Sequence, residues 1–223
     1  MPTNAKVYIN STIFIGLSIL AGCLLFERQF TDPARYFGYL LLAGLASTLK
    51  IKLPKIGGTM SVNFLFILIG VAELTVTETI VLSCLAALIQ CFWKPRKRPR
   101  AIQVLFNIST LVVSVTIAFL LSHALVQDTN LLVLLVVAVC AYFVLNTGMV
   151  SLVLSLTGDK PFRAVWRQCY LWSFPYYLVG AVIACAIVLS NRSMGWQPSL
   201  LMLPMMYLIY SYYRLYLLQV TDQ

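Results

Sequence analysis

The feature that most constrains this chain is a run of apolar segments, each long enough or nearly long enough to cross a lipid bilayer. They fall at 8–26, 36–49, 61–75, 78–93, 102–126, 130–156, 171–190 and 199–218. A spanning helix needs about 20 apolar residues, because backbone groups must pair within the segment where there is no water. Breaks separate the segments: Thr31-Asp32-Pro33, Pro54 with Gly57-Gly58, Pro95 and Pro99, Gly158-Asp159-Lys160-Pro161, and Gly195 with Pro198. Such residues interrupt helices or start turns. Composition agrees: hydrophobic residues make up 61% of the chain and charged residues 10%. A soluble domain averages about 45–50% and 25%. So few charges cannot cover a surface facing water. The expected fold is an all-α polytopic integral membrane bundle of about eight segments, forming one transmembrane domain over residues 1–223.

The net charge of +9 does not read as a nucleic-acid footprint, because the basic residues sit in short runs between apolar segments. With the N-terminus inside, the inner stretches hold Lys6; Lys50, Lys52 and Lys55; Lys94, Arg96, Lys97, Arg98 and Arg100; Lys160, Arg163 and Arg167; and Arg214. Of the 16 basic residues only Arg28, Arg35 and Arg192 fall outside. Cytoplasmic loops of membrane proteins carry such an excess, so both termini are expected in the cytoplasm. No cleavable signal peptide is expected, since no small-residue cleavage site follows the first apolar stretch before Glu27.

Two segments are short. At 1.5 Å per residue, 61–75 and 78–93 reach only about 23 Å of a roughly 30 Å core. They form either two short spans or a re-entrant hairpin, with two short spans favoured. Thr77 is placed to cap the second, with Glu78 in its first turn. Residues 162–170 have apolar positions at helical spacing and Arg163 and Arg167 between them, as in a helix lying along the inner surface. The last helix, from 207, keeps apolar positions at helical spacing and leads out to the cytoplasm over 207–223.

No catalytic constellation stands out, and the chain is not expected to be an enzyme. The six cysteines are scattered and form no C-x-x-C pair, and His123 is the one histidine; no metal site or cofactor is expected. Glu73 is the leading candidate for function, because an acidic side chain inside a membrane segment is costly. Asn63, Asn107 and Asn146 are further candidate ligand-binding positions, although polar side chains between helices also serve as hydrogen-bonding glue. The Lys94, Arg96, Lys97, Arg98 and Arg100 run is a candidate lipid head-group site beside anionic membrane.

The Gly57–Phe64 stretch (GGTMSVNF), the basic 94–100 loop, the Phe106-Asn107 pair and the closing Tyr207/Tyr210/Tyr213/Tyr216 helix together resemble the N-terminal membrane regions of bacterial cyclic-di-GMP signalling proteins. Those carry a diguanylate cyclase or HD-type phosphodiesterase domain in the cytoplasm. The resemblance implies a sensory or anchoring input module in a bacterial inner membrane, acting through its C-terminal helix on an output domain this chain lacks. The expected partners are membrane lipids, a small hydrophobic ligand, and a second copy through the C-terminal helix. The alternative is a small-molecule binding or transport module similar to the substrate-binding subunit of a vitamin uptake system.

Overall fold

The computed structural model describes residues 2–26, 32–52, 59–61, 63–93, 98–126, 130–158 and 161–201, with 204, 205, 207, 208, 211, 212 and 215 of the last segment. The chain folds into a helical bundle: α1 (Thr3–Phe26), α2 (Pro33–Thr48), α3 (Phe64–Glu73), α4 (Val76–Phe92), α5 (Ala101–Leu125), α6 (Leu131–Thr157), α7 (Phe162–Cys169) and α8 (Phe174–Met194). Short 3-10 turns occupy Leu171–Ser173 and Gln197–Leu201. The described positions from 204 to 215 are helical. Between α2 and α3 the chain makes a small antiparallel ribbon, β1 (Lys50–Lys52) with β2 (Thr59–Ser61), pairing Ile51 with Met60.

Among the described residues, four helices are long and apolar enough to cross a membrane: α1, α5, α6 and α8. At 1.5 Å per residue each reaches about 30 Å or more. α2, α3 and α4 are shorter, with 16, 10 and 17 residues. α3 is the centre of the fold. It is apolar around its whole circumference, and every residue from Phe64 to Val71 is buried. A helix with no polar face has to be surrounded, and α8, α4 and α6 surround this one. At about 15 Å it is too short to cross a bilayer unaided, which is tolerated only because protein encloses it.

Local chemistry sets the helix starts. Asp32 accepts from Ala34 N at 3.1 Å and Arg35 N at 3.2 Å, and Pro33 fixes the first turn of α2. α4 opens on Thr75, not on Thr77 as its sequence suggests. Thr75 Oγ1 accepts from Glu78 N at 3.2 Å, and Thr75 N donates to Glu78 Oε2 at 2.9 Å. That reciprocal pair satisfies two otherwise orphaned amides and moves the helix start forward. Asn130 Oδ1 accepts from Val133 N at 3.2 Å and caps α6.

The helices alternate in direction, so the bundle has two ends. Glu73, the start of α4 and the end of α8 share one, which we term the Glu73 end. Thr77 Oγ1 donates to Cys23 O at 3.5 Å there, placing the end of α1 beside the start of α4. Phe64, the ribbon, α7 and the start of α8 share the other. Tyr8 OH donates to Met149 O at 3.2 Å near that end, and Phe64 packs against Tyr177 with ring centroids 4.6 Å apart. Gly180 makes this packing fit, since a Cβ there would lie 2.4 Å from the Phe64 ring. α7 has the amphipathic form its sequence suggests. Val165 is buried, Arg163 and Arg167 are exposed, and Trp166 Nε1 donates to Thr147 Oγ1 at 2.9 Å to hold it on α6.

Candidate functional site: a carboxylate network at one end of the bundle

Glu73 is the last residue of α3. An acidic side chain is electrostatically out of place there, because the last carbonyls of a helix present its negative pole. It is also nearly sealed, with 6% of its side chain exposed. Three neighbouring elements supply what it needs. Tyr39 of α2, fully buried, donates its hydroxyl to Glu73 Oε2. Asn191, in the last turn of α8, turns its amide nitrogen to the carboxylate, 3.2 Å from Oε1 and 3.4 Å from Oε2. Arg35, one turn before Tyr39 on α2, places Nη1 3.9 Å from Oε2.

Arg35 has a second task. Its Nη2 donates to the backbone carbonyl of Glu73 at 3.0 Å, so it satisfies one of the carbonyls that the end of α3 leaves orphaned. One guanidinium thus compensates both the charge and the helix terminus. A quarter of the Arg35 side chain is exposed, and it is the cluster's link to the surface.

The network continues beyond the carboxylate. Asn191 Nδ2 is 2.9 Å from Tyr39 OH and 2.9 Å from Ser199 Oγ. Ser199 Oγ donates to Asn191 Oδ1 at 3.1 Å and reaches Tyr39 OH at 3.5 Å. Ser199 lies in the 3-10 turn Gln197–Leu201 and is fully buried. The turn is reached through Gly195, whose φ of 82° is the left-handed backbone that glycine tolerates best. The chain then lays Trp196 against Gly38 of α2, where a Cβ would stand 3.1 Å from the indole. Glu73, Tyr39, Asn191 and Ser199 therefore join α2, α3, α8 and the turn that leads into the last helix.

The other candidates lie elsewhere. Asn63 is buried at the opposite end of α3, where its backbone carbonyl accepts from Phe66 N at 3.0 Å; its side chain makes no capping bond. Asn107 is exposed on α5, with Nδ2 3.7 Å from Cys91 Sγ. Asn146 is half-buried on α6. None of the three joins Glu73. Of the basic run, Arg98 precedes α5 and Arg100 caps it, with Arg100 N donating to Gln103 Oε1 at 2.9 Å. Lys94, Arg96 and Lys97 lie outside the described residues. So do 216–223, the end of the expected outward helix. His123 stacks on Phe119 with ring centroids 4.2 Å apart, and the described residues bring no three His, Cys, Asp or Glu side chains together.

Sequence reading found Glu73 and missed its partners. Tyr39, Asn191 and Ser199 sit in apolar or turn sequence with nothing local to mark them. Arg35 did carry a signal, as one of the few basic residues outside the inner stretches.

Compared with protein-family models, curated proteins and solved structures, the chain matches none.

Proposed function

We propose that this chain is a membrane-embedded sensory and anchoring input module. Its receiving site is the Glu73 network, and its output passes through the C-terminal helix to a cytoplasmic output domain or partner. One observation carries the reading: Ser199, just ahead of the last helix, is hydrogen-bonded into the same buried cluster as the lone carboxylate of α3. A change at Glu73 reaches that helix through two side chains. The resemblance to the membrane regions of cyclic-di-GMP signalling proteins points the same way, and a bacterial inner membrane is the location this reading implies.

Charge supports an orientation for this reading. Lys6, the Lys50–Lys52 strand, Arg98, Arg100, Arg163 and Arg167 gather at the Phe64 end, while Asp32, Glu73 and Glu78 gather at the Glu73 end. By the positive-inside rule the Phe64 end and the last helix's exit face the cytoplasm, and the Glu73 network lies toward the outside. α3 and α4 then make up the third and fourth segments of the bundle, a short pair held within it.

The small-molecule reading gains no support from the cleft described between α3 and α8. The cleft between α3 and α8, lined by Phe64, Leu65, Tyr176, Val179, Gly180 and Ile183, measures about 40 Å³. Ligand pockets run to about 300–1,000 Å³.

A reporter enzyme that works only as a dimer, fused after Gln223, tests the proposal in cells. Asn191→Ala and Ser199→Ala should change its output per molecule about fivefold or more, as a coupling free energy near 1 kcal/mol requires. Arg163→Gln, far from the network, should leave output unchanged. Wild-type output from both network variants would refute the proposal, and a small molecule co-purifying with the chain would favour a binding module.

A further inference from the structure

Leaving the Arg35 guanidinium aside, the Glu73, Tyr39, Asn191 and Ser199 side chains hold more hydrogen-bond acceptors than hydrogens. Asn191 Nδ2 carries two hydrogens. It stands near four oxygens: Tyr39 OH at 2.9 Å, Ser199 Oγ at 2.9 Å, Glu73 Oε1 at 3.2 Å and Glu73 Oε2 at 3.4 Å. Ser199 has one hydrogen for Asn191 Oδ1 at 3.1 Å and Tyr39 OH at 3.5 Å. The single hydrogen of Tyr39 is taken by Glu73. In a buried cluster each unfilled acceptor has a cost, because no water replaces the missing donor.

We propose that Glu73 is a proton-binding site, and that the proton it takes up from the outer face redirects the Tyr39 hydroxyl from Glu73 to Ser199. This deepens the input-module reading and rests on it for the step from the turn to the last helix. The proton adds to Glu73 Oε2, and the resulting carboxyl O–H donates to Tyr39 OH. Tyr39 then turns its own hydrogen to Ser199 Oγ. Ser199 donates to Asn191 Oδ1, and Asn191 donates to Glu73 Oε1. The four side chains close into a ring in which every member both gives and receives. No covalent bond changes apart from the O–H that forms. Arg35 loses its charge partner and keeps its bond to the Glu73 carbonyl.

A proton suits the site better than a metal ion. The guanidinium 3.9 Å from Oε2 repels a second cation held beside the carboxylate, whereas protonation removes the charge that attracts Arg35. The surrounding titratable and charged groups are few. α2 presents Arg35, Tyr36 and Tyr39. α4 presents Glu78, whose carboxylate is engaged by the Thr75 backbone. α8 adds the exposed Arg192 beside Asn191. α6 carries no charged side chain, only Cys140 and Tyr142, and the turn contributes Ser199. Among these described groups Glu73 is the carboxylate that meets the Tyr39–Asn191–Ser199 chain.

Infrared difference spectroscopy on the full chain in lipid nanodiscs tests this, stepping the pH between about 9 and 3, to either side of an ordinary glutamate carboxyl. The wild type should gain a protonated-carboxyl C=O band on acidification. Glu73→Gln should lack it, and Tyr39→Phe should move it. A spectrum in which Glu73→Gln and wild type gain the same bands overturns the proposal. Glu73→Gln supplies its own N–H to Tyr39 and keeps the shape of the site, so loss of folding does not obscure the result. Amide exchange at 204–215 in the same samples separates the two ideas. Exchange that follows network variants without any Glu73 band leaves the input module standing and removes the proton. A Glu73 band without any response in exchange leaves the proton site and removes the output path.

Discussion

Replacing Glu73 with Ala should destabilise the bundle by about 2–4 kcal/mol, the range for leaving buried donors and a charge partner unpaired. The substitution removes the acceptor of the buried Tyr39 hydroxyl and takes one partner from the buried Asn191 amide, which keeps Tyr39 and Ser199. It costs less at Arg35, because a quarter of that side chain is exposed and water recovers part of the loss. Glu73→Gln keeps the shape and two polar atoms and should cost well under half as much. Reversible unfolding in mixed micelles measures both. Asn107→Ala and Asn146→Ala should stay within about 0.5 kcal/mol of wild type, as for exposed or half-exposed positions that carry no buried network. Equal losses at Glu73 and Asn146 would mean that the network contributes no more than any polar residue in a span.

Gly16→Ala should be the most disruptive change of a single methyl group in α1. A Cβ at Gly16 would lie 2.5 Å from Ser109 Cβ and 2.6 Å from Ser109 Cα. The second of those atoms is backbone and cannot swing aside, so α1 and α5 would have to part. The bond from Ser109 Oγ to Ile13 O, 3.4 Å long, would open with them. Close backbone approach over small residues is a principal source of helix association where lipid competes equally for apolar side chains. Overpacking at such a contact costs about 1–3 kcal/mol. Gly22→Ala and Gly148→Ala are internal controls, since nothing lies within 4 Å of a Cβ at either. Both should be neutral or slightly stabilising, as alanine is the better helix former. A Gly16→Ala chain as stable as Gly22→Ala would show that α1 is not seated on α5 as described.

The two predictions differ in how far sequence anticipates them. Segment positions were legible because apolar length is a property of consecutive residues. Each of the eight expected segments overlaps a described helix or helical positions, and four of the helices have the length and apolarity to span. The start of α4 was legible too, in a pattern that a glance at Thr77 passes over. Thr75-Val76-Thr77-Glu78 is the Ser/Thr-x-x-Glu capping box, and the structure forms it. The central position of α3 follows from its lack of any polar face. Sequence does not say which helices enclose it.

The site was legible only at Glu73, where an acid interrupts apolar sequence. Tyr39, Asn191 and Ser199 come from positions 34, 118 and 126 residues away along the chain, and meet only through packing. Chemical type does not identify them: Asn107 and Asn146 carry the same amide as Asn191 and point elsewhere. Arg35 is instructive. Like Arg192, it departs from the charge pattern that places most basic residues at the opposite end, and its ion pair with Glu73 is the reason a cation is useful there.

The central claim is that the Glu73 cluster holds the turn that starts the last helix. Hydrogen exchange resolved along the chain in nanodiscs tests it most directly, by comparing wild type with Glu73→Ala. The account predicts that amides at 195–201 exchange about tenfold faster or more in the variant, a local loss of roughly 1.4 kcal/mol, while those of α6 are unchanged. Unchanged exchange at 195–201 in a variant that has lost its carboxylate would contradict it.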